Sequence, residues 1–451
     1  MKSSKVLVTG SLLSLVFLGA CSKSSDKAAT SSNSNLLLQF KTSAKTSASL
    51  ALASAASDFK NSSIAAGRPD SLTIYVKRMA LEGSSGAQII FSDESGKAIT
   101  VRDKTVDISD LFTTYACVDN TGTPVEGVGE CPCGLDADKN PVAKEAGTNS
   151  CPDTGSTPTA SVPSPSGTYN KLSVEFSVRA KVKGCVTGNF STVGSNGAST
   201  QGQHTYCTKA TANTFQATPG VSTASELEGI TAEEMDYQLP KANQLYSDTS
   251  STFMMEFPIS EGVTLTEGGS SPLMTMVIDT NRMLRFYNKN QTKSPNPGMS
   301  DSRAYFFNTV FEESAFVFVG GAGEIRGFNW WTDACKPYTI GTSCAAGNSS
   351  VVAGWMTVIK DTNGKPLVVG LMPDDDNSLT IVKGSNKSAE GLKSTAFEAT
   401  GANYNITYSL GTEGTGQIKN VNLDAAVGST QTTTFSGLME YGGDFYLKRG
   451  L

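Results

Sequence analysis

The chain reads as an all-β protein built from two β-sandwich domains, and three observations carry that expectation. Hydrophobic residues reach only 38% while glycine, serine and threonine abound, a mixture that suits short strands with one wet face joined by many turns. Apolar residues recur at alternate positions in short segments separated by Gly, Pro, Asn and Asp, the period of a half-buried strand. Sustained helical periodicity is nearly absent: Thr223–Tyr237 (TASELEGITAEEMDY) is the best helical candidate, and it is short.

Taken in order, Lys2 and Lys5 precede an apolar run from Val6 to Ala20 that ends in Leu18-Gly19-Ala20-Cys21. That run is too short to cross a ~30 Å hydrocarbon core as a helix and reads as an export signal over 1–20. Its ending resembles the lipobox of bacterial lipoproteins, which implies that Cys21 is diacylated and becomes the mature N-terminus. Residues 21–34 are small and polar, as expected of a flexible tether. A first β domain is expected over 35–320. It opens with a strand at Leu36–Phe40, followed by a Ser/Ala-rich loop over 41–69. Ser71–Leu81 alternates, with Leu72, Ile74 and Val76 on one side. Gln88–Ser92 and Ala98–Val101 flank Gly96 as a hairpin, and Val106–Phe112 follows. Residues 113–166, rich in Gly, Pro, Asp and Cys, read as a disulfide-tied insertion. Strands resume at Tyr169–Val182, are interrupted by a second insertion over 187–250, and continue at Thr252–Pro258, Leu273–Asp279, Met283–Tyr287, Ala304–Phe311 and Ala315–Val319. Glycines 320, 321 and 323 mark a boundary. A second sandwich over 321–451 is expected from Trp355–Asp361, Lys365–Leu371, Ser378–Lys383, Thr395–Ala399, Asn405–Leu410, Gly416–Leu423, Thr432–Met439 and Phe445–Lys448. Strong turn signals at 361–364 and 373–377 separate the first three.

The nine cysteines support the N-terminal reading. With Cys21 reserved for lipid, Cys117, Cys131, Cys133, Cys151, Cys185, Cys207, Cys335 and Cys344 remain, an even set suited to an oxidising compartment. They fall in three clusters, so pairing is expected within clusters: Cys335–Cys344, whose short loop closure contributes ~2.7 kcal/mol, and Cys185–Cys207. The other four pair as 117–131 with 133–151, or as 117–133 with 131–151. A bond within Cys131-Pro132-Cys133 ranks last because it would be strained. A four-thiolate zinc site is the rival reading.

Several segments resemble an uncharacterised domain family of bacterial lipoproteins, described as a transthyretin-like or carbohydrate-binding-like β-sandwich. They are Asp70–Gly83 (DSLTIYVKRMALEG), Val106–Phe112 (VDISDLF), Gly167–Val174 (GTYNKLSV) with a Gly-x-Tyr strand entry, and Met274–Asp279 (MTMVID), which ends in an acidic residue. The resemblance spans about 35 to 320, departs from the family at the cysteine-rich insertion, and implies fold without a catalytic signature. Trp355–Pro366 is similar to transthyretin-like or Ig-like accessory domains.

Chemistry is sparse. The one histidine, His204, lies in the second insertion. Ser57-Asp58-Phe59-Lys60 fits Ser-x-x-Lys without the Lys-Thr-Gly that accompanies a penicillin-binding nucleophile. Glu233-Glu234 and Glu312-Glu313 would point to opposite faces of a strand and make no dyad alone. Asp136-x-Asp138-x-Asn140 spaces three oxygen ligands as at the start of an EF-hand loop, but Pro141 stands where glycine is needed and Gly147 where glutamate is needed. A Ca²⁺ site of another geometry, there or at Asp374–Asn377, is the alternative to plain turns. Phe328-Asn329-Trp330-Trp331 is the strongest binding candidate: on a strand, at most one indole fills the core. The other, with Tyr338, is placed to stack on a sugar or anchor a protein.

The formal charge of −6, or −8 once Lys2 and Lys5 leave with residues 1–20, argues against nucleic acid as a partner. The expectation is a lipid-anchored outer-membrane lipoprotein, Ser22 after the anchor resembling the sorting signal for that membrane. It is expected to act as a non-enzymatic binding or adhesion module for a glycan or envelope protein. The alternatives are a periplasmic structural or assembly component and an envelope-polymer hydrolase.

Overall fold

The structure, a computed structural model, describes residues 34–42, 64–84, 86–103, 105–119, 123–136, 138–147, 151–152, 157–193, 199–210, 227–238, 252–280, 283–288, 305–309, 315–335, 349–373, 392–410, 414–438 and 444–449. Among them every regular element is a strand. The first part of the chain forms β1 (Ser34–Thr42), β2 (Ile64–Gly67), β3 (Ser71–Gly83), β4 (Gly86–Arg102), β5 (Val106–Asp107), β6 (Thr159–Ser164), β7 (Gly167–Lys183) and β8 (Cys185–Val193). Then come β9 (Ser199–Cys207), β10 (Met235–Gln238), β11 (Thr252–Leu265), β12 (Leu273–Ile278), β13 (Leu284–Asn288), β14 (Tyr305–Thr309) and β15 (Ala315–Val319). The remainder forms β16 (Glu324–Cys335), β17 (Ser349–Lys360), β18 (Pro366–Pro373), β19 (Leu392–Thr400), β20 (Asn403–Ser409), β21 (Thr415–Val421), β22 (Thr430–Ser436) and β23 (Asp444–Arg449).

Two sheets face one another in the first half. One has the order β15-β12-β1-β6, the other β10-β7-β3-β4-β5, with β11 also paired to β7. Leu36, Leu38 and Phe40 of β1, with Met274, Met276 and Ile278 of β12, meet Leu72, Ile74 and Val76 of β3 and Leu172, Val174 and Phe176 of β7 in one core. That is the expected sandwich. The alternation of β3 and β7 follows from one buried face each. β1 and β12 do not alternate, and the reason is tertiary: they pair in parallel at the centre of their sheet, and both faces are covered. On the outer face Leu37 and Leu273 are covered by Val118 of the cysteine-rich insertion, while Val277 packs with Phe316, Phe318, Ile359 and Val368. Strands covered on both sides read as continuous apolar runs.

The C-terminal strands β16 to β23 pair consecutively and antiparallel, and β23 returns to β16, closing an eight-stranded barrel. The second β unit therefore has no open sheet edge. Phe328, Trp330, Met356, Val358, Val369, Leu371, Ile406 and Tyr408 turn inward. Residues between them turn outward, and on β17 and β18 that outer surface (Ile359, Val368) packs on the sandwich. Sandwich and barrel share one compact unit, Asn33–Leu451.

Several local expectations are corrected. Gly96 does not turn a hairpin. It has a left-handed φ of 79° inside the single strand β4, where residues 93–96 bulge from the ladder between Val76↔Lys97 and Arg78↔Ser92. The hairpin turn lies at Gly83–Gly86 instead. The strand at Val106–Phe112 stops at Asp107, after which the chain turns. The expected loop over 41–69 contains β2. Both insertions hold strands: β6 ends the first, pairing with β1, and β8, β9 and β10 occupy much of the second. The candidate helix is not helical in its second half: Glu228 bridges to Tyr206, and Met235–Gln238 pairs with β7. Met235 is fully buried in the sandwich core, so burial and pairing override a weak helical propensity. Residues 223–226 and Ser378–Lys383 lie outside the described residues.

Candidate functional site

The register of the barrel sorts its connections. At one end lie the tight links 361–365, 401–402 and 422–429. At the other, β16 and β17, β18 and β19, β20 and β21, and β22 and β23 are joined by segments most of which lie outside the described residues. The tight end is tied by charge. The Lys360 side chain, 3% exposed, sits 2.7 Å from Asp424, Arg326 pairs with both Glu324 and Asp424, and Arg449 donates to the Ala425 carbonyl at 2.7 Å. The Lys360 ammonium, with Arg326, holds the Asp424 carboxyl below the usual carboxylate range. Asp361 shapes the 361–365 turn by accepting from the backbone N–H groups of Asn363 and Lys365 at 2.8 Å each.

The opposite end carries the predicted aromatic pair. Trp330 is 1% exposed and stacks on Phe445 with ring centroids 5.3 Å apart; it is the indole that fills the core. It offers no exposed platform, which corrects its place among the binding candidates. Trp331 follows on β16, its backbone paired with Ala353 and Tyr446; its side chain and Tyr338 lie outside the described residues. In the barrel interior the Tyr408 hydroxyl is buried and has no hydrogen-bond partner, and burial raises its pKa above the ordinary tyrosine value. Nothing in the sequence singles out Tyr408 beyond its alternation with Ile406.

The seam between sandwich and barrel holds the most unusual polar groups. Asp279, directly after β12, is 2% exposed. Trp355 donates its indole N–H to Asp279 at 3.1 Å and to the Thr357 hydroxyl at 3.0 Å, and Thr357 in turn donates to Asp279. The Trp355 ring occupies the space over Gly327, where a Cβ would fall 1.8 Å from a ring carbon. Gly370 makes the same allowance for Phe316, at 2.2 Å. Lys41 donates to the Ala322 carbonyl. Lys393 donates to the carbonyls of Pro258 (3.2 Å) and Val317 (3.4 Å) and lies 5.9 Å from the centroid of the Phe316 ring.

Burial lowers both lysines from 10.5 to about 8. In the unfolded chain they keep their protons to the ordinary value, so from about pH 8 towards pH 10 the unfolded state binds more protons and stability rises with pH. Replacing Lys393 by methionine is expected to stabilise the protein at pH 7 by on the order of 1 kcal/mol, the difference shrinking as the parent loses its proton. Urea denaturation at neutral pH and at about pH 9.5 checks this; a parent as stable as Lys393→Met at pH 7 contradicts it.

The cysteines pair as Cys117–Cys131, Cys133–Cys151 and Cys185–Cys207, which selects the first of the two expected patterns and is not a zinc site. Cys185–Cys207 ties the base of the β8–β9 hairpin, whose register pairs those residues. Cys344 lies outside the described residues, and with it the proposed Cys335–Cys344 bridge. Cys21, Ser57–Lys60, Glu312, Glu313 and Asp374–Asn377 lie outside them too. Asp136 accepts from the backbone N–H groups of Asp138 (2.9 Å) and Asn140 (2.8 Å), so one of its oxygens shapes its own turn. Among the described residues no group of three or more His, Cys, Asp or Glu side chains is placed to hold a metal ion. His204 lies 2.6 Å from Glu228 and stacks on Tyr206. Glu234 pairs with Lys181 at 2.7 Å while Glu233 accepts from the Ala210 N–H at 3.0 Å, so the adjacent carboxylates serve separate partners.

The fold defines a class: a disulfide-stabilised all-β protein in which a two-sheet sandwich and a closed barrel meet along a buried seam. No protein-family model and no curated protein matches the chain. Among solved structures it is similar to MbnP from Methylosinus trichosporium, at 10% identity over 55% of this chain and 75% of that one, with a TM-score of 0.17. A likeness at that level carries no argument, and function is read from the chain's own residues.

Proposed function

We propose that this chain is a lipid-anchored binding protein of the bacterial outer membrane, attached through Cys21, that engages an envelope glycan or protein partner without catalysing a reaction. The observation that carries the reading is the barrel: a closed eight-stranded frame whose strand β16 carries Trp331 directly after the inward Trp330. A rigid β frame holds the residues of a recognition surface in fixed positions. The lipobox-like Leu18-Gly19-Ala20-Cys21 supplies the anchor.

Two measurements test it. Cys21→Ser is expected to move the protein from the membrane fraction to the soluble fraction. Purified mature chain is expected to bind a glycan array or isolated envelopes, and Trp331→Ala to reduce that binding about tenfold or more with unchanged melting. Release of soluble fragments from envelope polymers would instead establish a hydrolase. Protease shaving of intact cells separates the surface and periplasmic forms of the proposal: protection until the outer membrane is opened would favour the assembly role.

A further inference from the structure

The second sheet of the sandwich, β10-β7-β3-β4-β5 with β11, sends Met79 and Leu81, Val174 and Phe176, and Phe253 and Met255 to the core. The residues between them therefore point away from it. Among the described residues three large apolar side chains are exposed, and two stand on this outward face: Ile89 at 56% and Met254 at 45%. Arg78 of β3 faces Glu175 of β7 across the ladder, and Glu175 in turn faces Met254 of β11. Ile89 of β4 pairs with Ala80, two residues along β3 from Arg78. A cation and an anion thus stand side by side on the two central strands, with an exposed apolar side chain on either flank.

A second observation concerns those charges. The Arg78 Nε is buried and has no hydrogen-bond partner, and neither Arg78 nor Glu175 is in an ion pair among the described residues. Elsewhere on the same face the charges are matched: Lys171 lies 2.8 Å from Glu82 and 2.7 Å from Glu256, and Lys181 lies 2.7 Å from Glu234. A guanidinium nitrogen stripped of water without a partner is costly. Exposed apolar groups gathered round such a charge mark an interaction site, and Arg and Met are enriched where proteins meet.

From these two features we infer that this face joins two copies of the chain in a two-fold symmetric dimer, with Arg78 of each copy paired to the partner subunit's Glu175. The row is self-complementary, and that identifies the occupant. A two-fold axis running along the strands between β3 and β7 lays β3 of one copy over β7 of the other. Residues that face one another across the ladder then face one another across the interface, twice. The same operation lays β4 over β11 of the other copy, bringing Ile89 towards the partner subunit's Met254. A partner that offered only carboxylates would satisfy Arg78 and repel Glu175; a second copy satisfies both. The inference concerns the sandwich and stands apart from recognition by the barrel.

Sedimentation velocity of the purified mature chain is expected to show a concentration-dependent equilibrium between monomer and dimer. Arg78→Glu and Glu175→Arg each set like charges against one another across the interface, and each is expected to weaken association about tenfold or more. The double variant, Arg78→Glu with Glu175→Arg, restores opposite charges in the exchanged sense and is expected to recover most of the parent's affinity. Because both residues lie on the outward face, all three variants are expected to keep the parent's circular dichroism spectrum. A parent that stays monomeric up to ~100 µM, a dimer insensitive to both single reversals, or a double variant that associates no better than the single ones would overturn the inference.

Discussion

Trp330→Ala is expected to destabilise the barrel by about 3–5 kcal/mol, the range for removing a large buried aromatic. The ring is 1% exposed, stacked on Phe445, and Phe445 in turn meets Phe435 edge-on with centroids 6.0 Å apart. In the ladder Trp330 faces Gly354 on one side and Leu447 on the other. Gly354 brings no side chain of its own, so the indole volume is not replaced when the ring is lost. Trp330→Phe retains much of the stacking and is expected to cost less than half as much. Guanidinium denaturation of the parent and both variants measures the effect, and a midpoint unchanged by Trp330→Ala would remove this residue from the core. The consequence for function is practical: binding lost in Trp330→Ala would report an unfolded barrel, whereas Trp331→Ala tests recognition.

Asp279→Ala is expected to cost about 3 kcal/mol and to act on the seam rather than on either core. The substitution removes a buried acceptor and leaves the Trp355 indole N–H and the Thr357 hydroxyl without it, and buried donors to a charged group are costly to orphan. Because these donors lie on the barrel and Asp279 on the sandwich, the unfolding transition is expected to split. Tryptophan fluorescence and far-ultraviolet circular dichroism, coincident in the parent, would then follow separate curves. A single, unshifted transition would show that the seam contributes little to coupling. Asp279→Asn, which keeps one acceptor oxygen, is expected to fall between the two.

Much of the fold was legible because its signals are local. The alternation of Leu72, Ile74 and Val76 announced β3, the run Leu36–Phe40 announced β1, and Asp361-Thr-Asn-Gly364 announced a turn in which Gly364 has a φ of 81°. Clustering of the cysteines predicted pairing within clusters, as the three described bridges show. Gly96 was misread because a left-handed glycine serves a hairpin or a bulge equally well; the difference lies in whether β3 continues alongside, which is a property of the partner strand. The candidate helix that ends in β10 departs from expectation for a related reason, since β10's partner β7 lies some fifty residues earlier in the chain.

The candidate site divides in the same way. Alternation alone allows at most one of Trp330 and Trp331 to fill the core, but only the closure of the barrel around β16 identifies Trp330 as that one. Lys41 and Lys393 are unremarked charges in the sequence and Asp279 stands out there only as the acidic end of a strand; their burial arises where the outer face of one sheet meets the outside of the barrel. Tyr408 is one more alternating residue until the barrel closes around it.

By itself, then, the sequence determined an all-β chain, the approximate places of most strands and a cysteine framework paired within clusters. Strand period, turn chemistry and cysteine spacing are written within a dozen residues of one another. The tertiary structure decided that β1 and β12 run parallel, that β23 returns to β16 to close a barrel, and that one sheet is covered on both faces. It decided too which polar groups are buried, and that the hydroxyls of Thr280 and Tyr408 are among those left without a partner. Those outcomes depend on contacts between segments far apart in the chain, whose pairing is selected by the burial they achieve together and leaves no local mark on either segment.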